Sequence, residues 1–137
     1  MKCRYTKYLL WFTLGAIISL VAYTRFFSEN IADNWQHLHH QAHIALHNEK
    51  YEHAIKICDQ AIKADASSDN RYLMYVKKAK ALNKLHRYEE ALKSADLAVT
   101  IYPKKEEAYL VKVDALFNLG AEEELTAILE EIESINP

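Results

Sequence analysis

The residues with the most evident capacity for chemistry are histidines. Five of the seven, His37, His39, His40, His43 and His47, fall close together in a chain of 137 residues. His39, His43 and His47 recur every four positions, which on an α-helix puts them on one face. Two imidazoles one turn apart can reach the same divalent cation, as in helical zinc motifs, but such motifs add a further ligand. Glu49 or a second chain would have to supply it. The same face could instead respond to pH, because imidazole titrates near neutrality, or serve as plain polar surface. Catalysis and cofactors are not expected. Beyond Gly15, which lies in an apolar run, Gly120 is the only glycine, so glycine-rich phosphate loops and dinucleotide fingerprints have no raw material. No serine or cysteine stands with a histidine and a carboxylate in a nucleophilic pattern, and no carboxylate pair marks a cleft.

Charge is uneven. Against 17 Lys and Arg stand 19 Asp and Glu, a formal net charge of −2. Lys2, Arg4, Lys7 and Arg25 precede residue 28 without an acid among them, so the remainder of the chain is acidic. Nucleic acid is excluded as the main partner, because phosphate neutralisation needs grouped Lys and Arg.

Elements must position these groups. Between Lys7 and Arg25 lie 17 residues without a formal charge. The run from Tyr8 to Phe27 meets the about 17–25 residues that a helical bilayer span requires. Tyr8, Trp11, Tyr23, Phe26 and Phe27 sit near its ends, where amphipathic rings favour the interface, and Lys7 and Arg25 can snorkel outward. This predicts a short basic N-terminus over 1–7, a transmembrane signal anchor over 8–27 and a linker over 28–34. A cleaved secretory signal is the rival, but a cut after Ala22 would put Leu20 at a position that wants a small residue. The excess of bases before the span predicts a cytoplasmic N-terminus and a translocated body. That body would face the periplasm of a bacterium, the reading the tail-free chain favours, or in a eukaryote the ER lumen or the cytosolic side of the mitochondrial outer membrane. Cys3 and Cys58 would then face opposite compartments and could not pair. Cys58 is expected to be a small buried apolar residue.

The body repeats itself. YEHAIKICDQAI from Tyr51 and YEEALKSADLAV from Tyr88 share six of twelve positions at an offset of 37. An offset of 34 joins Tyr75 to Tyr109, Lys78 to Lys112, Ala81 to Ala115, Leu82 to Leu116, Leu85 to Leu119 and Pro103 to Pro137. Leu38, Ala42 and Ala45, then Ala54, Cys58 and Ala61, recur as Tyr75, Ala79 and Leu82, then Ala91, Ala95 and Ala98. Spacings of three and four put each trio on one helical face. Asn48 to Lys50, Leu85 to Arg87 and Leu119 to Ala121 mark turns, and Gly120 suits a left-handed helix end. In the last helix Leu125, Ile128, Leu129 and Ile132 share one side, while Glu123, Glu124, Glu130 and Glu131 would make the outer face its own cap.

This pattern resembles the tetratricopeptide repeat, a helix-turn-helix unit of about 34 residues, over roughly residues 35–137. Tyr51-x2-Ala54, Tyr88-x2-Ala91, the small residues Ala42 and Ala79 and the closing prolines Pro103 and Pro137 stand where that family has them. A third copy departs, with Val113 for a small residue, Glu122 for the tyrosine and Leu125 for the alanine. The implied fold is all-α: an N-terminal transmembrane helix, then a three-repeat solenoid of about six antiparallel helices, with repeats near 35–68, 72–105 and 106–137.

In that family the first helix of each pair lines a groove where a peptide binds. The resemblance gives this role to His39, His40, His43 and His47 in the first copy, Lys77, Lys80 and Lys84 in the second, and Leu110, Asp114 and Phe117 in the third. Such a groove suits a peptide with acidic residues and an apolar anchor. Lysines at this spacing also make an ordinary solvated helix face. Chaperone-binding members of the family clamp a carboxylate with Lys, Asn and Arg. The matching places here hold His39, His43, Lys77, Glu107 and Val111, four of them departures, so capture of a chaperone C-terminus is not expected. The resulting expectation is a noncatalytic, membrane-anchored adaptor that recruits a protein or peptide partner, in envelope or secretion complex assembly. The alternatives are a metal- or pH-responsive module built on the histidine helix, and a structural subunit that forms homo-oligomers through the open end of the stack.

Overall fold

A computed structural model describes residues 2–64 and 67–135, with side chains described from residue 13 onward except at 27–33. The described residues form six helices: α1 (Lys2–His47), α2 (Tyr51–Ala64), α3 (Ser68–Lys84), α4 (Tyr88–Ile101), α5 (Glu106–Leu119) and α6 (Glu122–Ile135). They divide into two compact units, Met1–Asn34 and Trp35–Pro137.

The first unit is the early part of α1. Among the described residues no helix is long and apolar enough to cross a membrane. Residues 8–12 and 27 of the expected anchor lie outside the residues whose side chains are described. The transmembrane anchor over 8–27 is therefore corrected. With it go the single-pass placement, the cytoplasmic N-terminus with a translocated body facing a bacterial periplasm, and the membrane as a partner. Residues 28–34, expected as a linker, are helical within α1.

The second unit is a helical solenoid of the expected kind, running from the end of α1 to α6. Its sequence folds this way because each helix carries a stripe of small residues. Half of the buried apolar positions are alanines, among them Ala42, Ala54, Ala79, Ala91, Ala95, Ala98 and Ala108, each 0% exposed. Alanine combines the best helix propensity with the least bulk, so backbones can approach closely. Larger side chains fill the spaces between these crossings. Met74 and Leu82 pack with Cys58, Tyr72 with Val76 and Ala98, and Tyr109 with Leu116 and Ile128. Cys58 is wholly buried as expected, and burial pushes its thiol up to about 12.

Polar links repeat with the sequence. Lys78 on α3 pairs with Asp59 on α2, and Lys112 on α5 pairs with Asp96 on α4, at 2.6 and 2.7 Å. These are matched positions of successive copies. Asn83 Nδ2 donates to the Val111 carbonyl at 3.0 Å, which ties α3 directly to α5. The Tyr109 hydroxyl lies 3.0 Å from the Pro103 carbonyl and 2.8 Å from Glu131 Oε1, so α6 is tied to the start of α5. The apolar side of α6 is narrower than its spacing implies. Ile128 is buried, but Leu129 is 47% exposed, because it points past the α5 contact.

All three turns within repeats close alike. Lys50, Arg87 and Ala121 donate backbone N–H groups to Ala45, Leu82 and Leu116 at 2.8, 2.9 and 3.1 Å. This is the six-to-one bond of a Schellman ending, which needs a left-handed residue just before the donor. Gly120 takes that conformation at φ 69°, as expected; Glu49 and His86 take it as well, at 57° and 59°.

Three outcomes follow for stability. Ala91→Asp should cost about 3–5 kcal/mol in urea unfolding, because it buries a charge with no partner; a loss under about 0.5 kcal/mol, typical of surface sites, would contradict this packing. Gly120→Ala should cost about 1 kcal/mol from backbone conformation alone, since a Cβ there meets nothing within 4 Å. The reverse exchange, Glu49→Gly, should leave stability equal or higher.

Candidate functional site

Helices α1, α3 and α5 are the first helices of their pairs, and α3 contacts α5 directly. The spacing of 34 that relates the copies relates His43 to Lys77, Leu46 to Lys80 and Leu73 to Glu107. These six residues, with His47 and Val76, line one pocket of about 350 Å³. Its floor is apolar, from Leu46, Leu73 and Val76, and its wall is ionisable, from two imidazoles, two ammonium groups and one carboxylate.

The charges are not equivalent. Lys80 Nζ lies 2.6 Å from Glu107 Oε1, a bridge from α3 to α5 with both side chains about half exposed. A bridge that open to water is worth about 0–1 kcal/mol. Lys77 forms no ion pair among the described residues, and burial is the main reason that its ammonium is held below the usual lysine range. His39 is half-buried and stacks on Trp35, ring centroids 4.9 Å apart. Burial first, then the Lys77 charge and the neighbouring His43 and His40, push its imidazole below the usual histidine range.

Of the expected groove residues, the structure brings His43, His47, Lys77 and Lys80 together in this pocket. His39 packs beside them on Trp35, and His40 is exposed on α1. Lys84 is exposed near the end of α3 and does not line the pocket. Leu110 and Phe117 are exposed on α5, 54% and 71% respectively. Asp114 between them accepts hydrogen bonds from Asn118 at its carbonyl and carboxylate oxygens. These three form a strip on α5 that does not line the pocket. Leu46, Leu73, Val76 and Glu107 do line it and were not among the expected residues. Positions 73, 76, 77 and 80 form an i, i+3, i+4, i+7 stripe, the signal that would have found two of them, Leu73 and Val76.

The metal reading of His39, His43 and His47 gains no support. Among the described residues no three His, Cys, Asp or Glu side chains stand together as a metal site would require. Eight residues of helix separate the first imidazole from the last by about 12 Å of rise, too far for all three to share one ion.

The family model for the tetratricopeptide repeat matches residues 38–68 and 72–105. Over those residues the chain is similar to tetratricopeptide repeats. In solenoids of this kind the repeats build noncatalytic protein-interaction modules. The repeat region is similar to the protein STIP1 homolog of Dictyostelium discoideum, 32% identical over 97 residues. That match covers 71% of this chain and 17% of the relative, so the chain spans much less than two thirds of it. The fold is also that of a tetratricopeptide-repeat-like protein from Chlorobium tepidum TLS, whose crystal structure superposes with a TM-score of 0.66 at 19% identity. That superposition covers 77% of this chain and 80% of the other.

The depressed imidazole has a measurable consequence. Its folded-state pKa lies below the unfolded value, so its contribution to repeat stability is complete above about pH 6.5 and is lost as pH falls through the folded value. Between pH 7.5 and 5.5 the urea midpoint of the wild type should fall more than that of His39→Gln. Parallel falls would show that His39 is not held neutral by its surroundings.

Proposed function

We propose that the chain is a noncatalytic adaptor that captures a protein segment in the groove lined by α1, α3 and α5. The segment is acidic with an apolar anchor. The observation that carries this reading is the pocket in which Lys77, half-buried and without an ion pair among the described residues, shares the lining with three apolar side chains and two imidazoles. An unpaired ammonium in a partly dry site is poised to gain from a carboxylate, since charge-assisted hydrogen bonds strengthen where water is thin. Leu46, Leu73 and Val76 offer apolar contact beside it. The exposed Leu110 and Phe117 on α5 extend the apolar surface for the anchor.

Fluorescence anisotropy of a dye-labelled peptide of alternating glutamate and leucine, ending in phenylalanine amide, tests this reading on the full chain. Lys77→Gln should weaken binding about tenfold or more, the effect of losing one charged pair. Lys84→Gln, outside the pocket, should change it less than about twofold, and both should leave helicity unchanged. Binding should weaken with salt, because exposed charges are screened over about 8 Å at physiological ionic strength. Equal effects of the two substitutions, or no dependence on either, would place binding outside this groove.

A further inference from the structure

The Lys80–Glu107 bridge differs from the other links between helices. Lys78–Asp59 and Lys112–Asp96 occupy matched positions of successive copies, and each holds the first helix of one repeat to the second helix of the repeat before it. Lys80–Glu107 has no such counterpart. The residues 34 before the pair are Leu46 and Leu73, and Asp114 stands 34 after Lys80. The stack therefore does not need this pair to repeat.

Its position is also different. The bridge spans two first helices, 27 residues apart in sequence, on the wall of the pocket that holds Lys77, His43 and His47. The side chains of Lys80 and Glu107 are 46% and 50% exposed. Both partners remain open to water, so the contact is weak and easily exchanged. Glu107 thus places a carboxylate where an acidic segment would place one of its own.

Resting on the groove reading above, we propose that Glu107 is an intrachain competitor for that segment: it holds Lys80 in a direct bridge, leaves Lys77 without one, and so sets how many partner carboxylates the groove accepts and how tightly. An incoming carboxylate can take Lys77 at once. To take Lys80 it must displace Glu107, whose own negative charge then stays nearby and opposes the newcomer. Only a segment with two suitably spaced acids and sufficient apolar contact offsets that exchange, and singly charged segments are held through Lys77 alone. Selectivity of this kind is built from repulsion as much as attraction.

The test uses the full chain and the same alternating glutamate–leucine peptide with its amidated phenylalanine end, so that only side-chain carboxylates are read. Glu107→Gln should raise affinity about tenfold, as expected for releasing one charge pair, and should steepen the loss of affinity with salt. Adding Lys80→Gln to Glu107→Gln should return both affinity and salt dependence close to the wild-type values. Glu133→Gln, exposed on α6 and away from the groove, controls for general loss of negative charge and should change affinity by less than about twofold. Melting temperatures should stay nearly equal throughout, as expected for a half-exposed pair. If the wild type binds but Glu107→Gln alters neither affinity nor salt dependence, or Glu133→Gln has the same effect, the competitor role is overturned and the groove reading stands. If no form binds, both fall. Binding by Glu107→Gln alone would support the competitor role in its strongest form.

Discussion

Close approach of helix backbones at alanine is the constraint on which the solenoid depends. Ala54, Ala79, Ala91, Ala95, Ala98 and Ala108 have no exposed surface, and a side chain longer than methyl at these crossings would push helices apart or leave its rotamer minima. Because the small residues recur with the repeat, each helix pair meets the next in a similar way. The first helices α1, α3 and α5 then supply equivalent positions to one groove. The pocket is a consequence of packing: His43 and Lys77, Leu46 and Lys80, Leu73 and Glu107 are the same places in successive copies.

That groove is electrostatically unfinished. Most ion pairs in the body are local or join neighbouring helices in a repeating way, while Lys77 stands partly dry and makes no ion pair among the described residues. Burial keeps it, and His39 beside it, less readily charged than in water. A site of this kind favours a ligand that brings its own negative charge and apolar surface together. It also explains why the histidines are better understood as part of an electrostatic wall than as metal ligands, since they climb along the helix and do not converge.

Much of the second unit was legible in the sequence. Offsets of 34 and 37 located the pairs, the turns and the alanine stripes, because periodicity reports which face of a helix must be buried. Several particulars were not legible, for physical reasons. Periodicity places Lys84 on the same side of α3 as Lys77 but says nothing of where that side meets α1 and α5, so the outermost lysine was assigned to a pocket that does not reach it. Glu107 stood out only as a departure from the family's carboxylate clamp, because its partner Lys80 lies on another helix. Nothing in Glu49 or His86 announces a left-handed turn; the six-to-one hydrogen bond imposes it. Leu129 shares the spacing of buried residues, yet α6 has a neighbour on only part of its circumference. At the N-terminus, counting uncharged residues gave a span that the described part of α1 does not sustain.

The most direct measurement is the change in backbone amide chemical shifts of the isotopically labelled full chain as the acidic, leucine-rich peptide is added. Perturbed amides should concentrate on the stretch from His43 to His47, on Leu73 to Lys80 and on the first turn of α5 around Glu107, with a weaker extension towards Phe117. Perturbations concentrated instead on α2, α4 and α6, or confined to the first 34 residues, would contradict a partner seated between the first helices of the repeats.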